Sequence, residues 1–129
     1  MGAMSKALDV ISQNIANAET TRTPEGGPYR RKDVVFATQL QVSPFSAVFQ
    51  NELGTGVTVA DVVQDSSAPE LRYQPGHPDA NADGYVAYPK MNPAEEMVDL
   101  LNASRSYQAN VSAISAVKDM LNHSLELLK

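Results

Sequence analysis

The sequence contains no cysteine, which removes disulfides, thiolate metal sites and cysteine nucleophiles together. That absence fits many compartments and leans mildly toward an exported, oxidation-tolerant protein. No apolar run approaches the roughly 20 residues that a bilayer-spanning helix needs, so direct membrane insertion is not expected. Nor does a basic-then-apolar leader precede the first helical segment, so export, if it occurs, is expected without a cleaved signal peptide. Basic residues are in deficit, 10 against 15 acidic, for a net charge of −5. That balance argues against nucleic acid, whose binding needs a positive footprint. The local exception, Arg30-Arg31-Lys32, reads as a solvated turn.

What the chain does have is concentrated in its last third. At Asn92 a helix start is written out: Asn92 can cap, Pro93 suits the first helical position, and Glu95 falls where a capping-box carboxylate reaches back. Met97, Leu100, Tyr107, Val111, Ile114, Leu121, Leu125 and Leu128 then follow one 3,4 spacing, interrupted only by Ser104 and Lys118. This is a heptad seam. With no Gly or Pro after Pro93, a continuous helix would run about 54 Å at the usual rise, more than a small core can cover. A second spacing, from Ala103 and Ser106 through Ala113 and Val117 to Leu127, is built mostly of small residues that allow close helical neighbours. A helix buried on two sides of an ordinary bundle has the same pattern, but the rest of the chain supplies too few helices for one.

The N-terminal end repeats the theme on a smaller scale. Met1 to Met4 carry no start signal, and the chain reads as though it begins inside a helix. Leu8, Ile11, Ile15 and Ala18 form a 3,4 seam, while Ala7, Val10, Asn14 and Asn17 line a second side. Buried Asn is a device for fixing register; the plainer reading takes Asn14 as a tolerated flank residue. From Asn17 to Lys32 the helix gives way to a structured hinge, in which Thr23-Pro24-Glu25-Gly26 has turn chemistry, with Pro second and Gly fourth.

At Asp33 the period becomes strand-like. Strands are predicted over Val34 to Leu40, Phe45 to Phe49, Gly56 to Val63, Leu71 to Tyr73 and Tyr85 to Tyr88, punctuated by Pro and Gly. The expected fold class is α+β: an N-terminal helix and hinge over 1–32, a small antiparallel β-rich insert over 33–91, and a long helix over 92–129. An insert of roughly 60 residues is near the smallest size that folds alone.

Candidate chemistry is thin. Asp79, Asn81, Asp83 and Gly84 match the first half of an EF-hand loop, but its twelfth position is Lys90 where calcium needs a bidentate Glu, and Pro78 and Pro89 disfavour flanking helices; an Asx-rich turn is expected instead. His123 lies four residues from Asp119, in reach of an i,i+4 pair on a solvated helix face. Glu95 and Glu96 suit a helix N-terminus, where negative charge is favourable. No nucleophile, metal set or cofactor loop emerges, and neither an enzyme nor a cofactor is expected.

Three stretches carry a resemblance. Leu8-Asp9-Val10-Ile11-Ser12-Gln13-Asn14-Ile15-Ala16-Asn17-Ala18-Glu19-Thr20-Thr21 resembles the N-terminal signature of the bacterial flagellar axial proteins, the rod and hook group. The continuation Arg22 to Lys32, the run His77 to Val86, and Asn92 to Leu100 with Ala103 to Asn110 resemble the proximal rod members of that group at matching places. Gln39 to Gln74 carry no specific signature. The resemblance implies a structural subunit of the flagellar basal-body rod that transmits torque across the periplasm and leaves the cell through the flagellar type III export apparatus. It implies too that the terminal helices pair as a coiled-coil-like hairpin and assemble with copies of the chain and with other rod and basal-body proteins, the insert lying outside. The assembly interface is then expected at Leu8, Ile11, Asn14, Ile15, Asn17, Met97, Leu100, Tyr107, Val111, Ile114, Leu121 and Leu125. The alternatives are another rod or hook component, and a free-standing coiled-coil adaptor, which would need its insert more than its helices.

Overall fold

The computed structural model describes residues 2–39 and 56–127; the strand expected over Phe45 to Phe49 lies outside them. Helix α1 spans Gly2–Ala16. It ends where Asn17 turns back, its backbone N–H and its side-chain Nδ2 both donating to the Gln13 carbonyl, at 3.1 and 2.8 Å, which satisfies an orphan acceptor at the helix end. The segment that follows, called the hinge below, turns at Thr23 to Gly26. Gly26 N–H donates to the Thr23 carbonyl at 3.0 Å, and φ at Gly26 is +90°, a backbone setting that glycine takes without a Cβ penalty. Tyr29 N–H then donates to the Thr20 carbonyl at 3.0 Å, drawing the hinge into a closed loop.

Among the described residues the β-rich middle forms two separate two-stranded antiparallel ribbons. Strand β1 (Lys32–Gln39) pairs with β2 (Gly56–Gln64) from Lys32↔Gln64 to Gln39↔Gly56. Val35 faces Asp61 while Phe36 faces Val59, so Ala60 is the extra residue of a bulge, which sharpens the local twist. Strand β3 (Glu70–Tyr73) pairs with β4 (Tyr85–Tyr88). The first ribbon packs on α1; the second is bonded to the hinge, Thr21 Oγ1 donating to Asp79 Oδ2 at 2.8 Å.

Helix α2 spans Pro93–Glu126, 34 residues, with Asn92 as its cap: Asn92 Oδ1 accepts from Ala94 N–H at 3.1 Å. It is packed against α1 only along its first turns. The residues it half-buries or buries are Glu96, Leu100, Ala103, Ser104 and Tyr107, and from Gln108 to Leu127 every residue is exposed. Among the described residues the buried apolar side chains are Ala7, Val10 and Val86. Such a core is small for a chain of this length.

Helix α1 buries a strip one position away from the expected seam, whereas α2 departs from it at Glu96 and half-buries Leu100, Ser104 and Tyr107 of the seam itself. In α1 the buried residues are Ala7, Val10 and Asn14, while Leu8, Ile11 and Ile15 are half-exposed. In α2 the buried position is Glu96, and Met97 is exposed. The apolar rule favours Met97 over Glu96; the packing reverses it because the Glu96 charge has a partner elsewhere in the chain. The reading of Asn14 as a flank residue is corrected as well, since it is 1% exposed.

Candidate functional site

The groups that position one another most closely lie where α1, the hinge, β1 and the start of α2 meet. Glu96 is 2% exposed and has a partner on each carboxylate oxygen: Arg31 Nε donates to Oε1, and Asn14 Nδ2 donates to Oε2 at 3.1 Å. Asn14 uses its remaining capacity on β1 and the hinge. Its Nδ2 also donates to the Lys32 carbonyl at 2.8 Å, and its Oδ1 accepts from Lys32 N–H at 3.0 Å and from the Tyr29 hydroxyl at 3.1 Å. A side-chain amide has two donors and two lone pairs, so Asn14 is fully satisfied. Burial on these terms avoids the desolvation penalty that either residue would incur alone.

Arg31 closes the network toward solvent, its Nη1 donating to Asp33 Oδ2 at 2.9 Å. The solvated-turn reading of the basic triplet therefore fails for Arg31, whose partner Glu96 is 65 residues away along the chain; Arg30 is exposed as expected. The electrostatics follow the geometry. The hydrogen bond to Glu96 is the largest influence on Arg31 and raises its guanidinium pKa despite partial burial. Tyr29 is pushed above the ordinary phenol value, first by burial and then by the Glu96 charge. Beside the network, Ala7, Val10, Ile11, Val34 and Phe36 line a groove of about 160 Å³.

The other singled-out groups go elsewhere. Asp79 turns toward Thr21, with Arg22 at 3.8 Å, while Asn81 Oδ1 accepts the backbone N–H groups of Asp83 and Tyr85 at 3.0 and 2.8 Å. This is Asx-turn chemistry. Gly84 completes it at φ +81°, where a Cβ would meet Tyr73 Cε2 at 3.0 Å. His123 sits 3.7 Å from Glu126 rather than beside Asp119, both groups largely exposed. Of the expected interface residues, Asn14 and Asn17 are bonded within the chain, Leu8, Ile11, Ile15, Leu100 and Tyr107 are half-buried, and Met97, Val111, Ile114, Leu121 and Leu125 are exposed. Sequence reading missed Glu96 and Arg31 as partners. A carboxylate at a core-facing helical position, with a cation in a loop of fixed conformation, was the available signal.

This arrangement holds α1, the hinge, β1 and the start of α2 to one another. Residues 82–127 match the family model described as flagellar basal body rod FlgEFG protein C-terminal. The chain is 43% identical over 131 residues to the flagellar basal-body rod protein FlgC of Borreliella burgdorferi, covering 95% of this chain and 86% of that one. It is 43% identical to the FlgC protein of Bacillus subtilis, covering 95% and 87%. Against the FlgC protein of Salmonella typhimurium it is 42% identical, covering 98% and 89%. With this identity over alignments that cover nearly the whole chain, the protein belongs to the FlgC family of flagellar basal-body rod proteins.

Proposed function

We propose that this chain is a structural, non-catalytic subunit of the bacterial flagellar proximal rod, which assembles through its terminal helices and passes torque along the basal body. The observation that carries this reading is the bare half of α2. Val111, Ile114, Leu121 and Leu125 continue the 3,4 seam at 42%, 54%, 61% and 63% exposure, and an apolar stripe of that length on a solvated helix marks an interaction surface. Ser106 and Ser124 of the small-residue stripe donate their hydroxyls to the Asn102 and Met120 carbonyls, each at 2.9 Å, so these two side chains present a satisfied donor to a neighbour.

On this reading α1 and the first turns of α2 form a coiled-coil-like hairpin, with 1–32 as helix and hinge, 33–91 as insert and 92–129 as the long helix. The interface divides by role. Asn14 and Asn17 hold the hairpin to the hinge; Leu8, Ile11 and Ile15 on α1, with Met97, Val111, Ile114, Leu121 and Leu125 on α2, meet other copies and other rod and basal-body proteins, and Leu100 and Tyr107 contribute to both. Localisation is the flagellar basal body, in the periplasmic rod, reached through the flagellar type III apparatus. No helix among the described residues is long and apolar enough to cross a membrane. The test is complementation: expression in a bacterium lacking its FlgC protein restores swimming if the reading holds, and non-motile cells with normal expression and export of the protein count against it.

A further inference from the structure

We infer that Glu96, held by Arg31 and Asn14, is a register lock that selects where α1 docks along α2. The apolar pattern does not make that choice. The buried face of α1 presents Asn14, Val10, Ala7 and Ala3 in order, and α2 meets it with Glu96, Leu100, Ala103 and Tyr107. Contact between residues near the end of α1 and the start of α2 sets the two helices antiparallel, and both strips step by 4, 3 and 4. Moving one heptad along α2 replaces that strip by Ala103, Tyr107, Asn110 and Ile114; two heptads bring Asn110, Ile114, Val117 and Leu121. The last set is more apolar than the one the fold uses. Packing alone would therefore favour α1 further along the helix.

Glu96 reverses the preference. Only in the observed register do both its oxygens find donors, from Arg31 and Asn14. In a register further along α2 the two charge-assisted bonds are lost, and slips of three or four residues the other way set Glu96 against Ile11 or Val10 of α1. A single polar residue at a core position that fixes register at a cost in stability is the best-attested use of buried polar groups. The inference concerns the chain's own helices, and it holds whether or not the chain builds a rod.

The absence of cysteine makes the test direct. Full-length chains carrying Ala7→Cys with either Ala103→Cys or Val117→Cys, which report the native register and the two-heptad shift, are treated with a short bismaleimide, and cross-linked product is counted in monomers and dimers alike. The native background is expected to favour the 7–103 product at least about tenfold, since one hydrogen bond to a charged group contributes that much. Glu96→Leu is expected to bring the two products within about threefold of each other, and Glu96→Gln, which keeps the volume and one acceptor, to restore most of the preference. Arg31→Ala provides an independent arm: with Glu96 left to Asn14 alone in the native register, the 7–117 product is expected to rise. Equal products in the native background would overturn the inference. So would failure of the 7–117 product to rise in both Glu96→Leu and Arg31→Ala, whether the native product persists or is lost.

Discussion

Replacing Arg31 by Ala removes one of the two partners of a carboxylate that is 2% exposed. Breaking a buried ion pair from one side costs about 3–5 kcal/mol in general, because the remaining charge is left uncompensated. Two features of this site lower the figure. The Arg31 side chain is 30% exposed, so water already screens the pair in part, and Asn14 Nδ2 still donates to Glu96 after the change. A loss of about 2–3 kcal/mol is expected. With Ala7, Val10 and Val86 as the buried apolar residues among those described, total stability should lie near the low end of the usual range of about 5–15 kcal/mol, so this loss is a large fraction of it. The assay is urea unfolding of Arg31→Ala, Glu96→Gln and the double variant, followed by circular dichroism at a concentration where the chain is monomeric. Independent sites add within roughly 0.3–0.5 kcal/mol; the network requires a coupling of at least about 1 kcal/mol. A loss below about 0.5 kcal/mol for Arg31→Ala, with additive effects in the double variant, would refute the reasoning.

Val111→Asp should leave the isolated chain within about 0.5 kcal/mol of the parent, since exposed substitutions seldom cost more, yet abolish swimming in the complementation assay; normal motility would remove the exposed seam as a subunit contact. Calcium should leave the melting temperature unchanged between chelator and millimolar ion, because Asp79 and Asn81 already spend their oxygens on Thr21 and on backbone N–H groups; a rise of several degrees would indicate a native-state site. Tyr29 titrates higher in the fold than the ordinary 10.0, so its contribution is fully present below about pH 10 and is lost as pH rises through the raised folded value. Chemical unfolding across that window should show a steeper alkaline loss for the parent than for Tyr29→Phe, and equal slopes would contradict the placement of Tyr29 beside Glu96.

Local signals in the sequence carried the elements well and the tertiary partners poorly. Asn92 with Pro93, and Thr23 through Gly26, announce a helix start and a turn through chemistry confined to a few residues, and both form as read. Strands β2, β3 and β4 fall within a residue of where alternation placed them. The β residues nonetheless split into two ribbons, a matter of pairing that alternation does not encode. The buried helix faces went astray for a related reason. Periodicity scores Met97 above Glu96 and Ile11 above Asn14 because it counts apolar atoms, whereas burial here is decided by whether a polar group finds its complement. The complement of Glu96 is in a hinge 65 residues earlier, and no window along the chain contains both. Asn14 was legible only as a possibility, since a buried Asn and a tolerated one look alike until its four partners are seen.

On the rod-subunit reading the half of α2 beyond Tyr107 is packed only by other subunits, while the half before it already packs one face within the chain. Native-state hydrogen exchange on a demonstrated monomer at micromolar concentration, repeated on the assembled state, tests this most directly. In the monomer, amides from Val111 to Leu125 should exchange much faster than those of Leu100 to Tyr107 and of β1 and β2, because a solvated helix lacking a packed face is only marginally stable; on assembly they should become as protected as the rest. Protection of Val111 to Leu125 in the monomer equal to that of Leu100 to Tyr107, with no further gain on assembly, would contradict it.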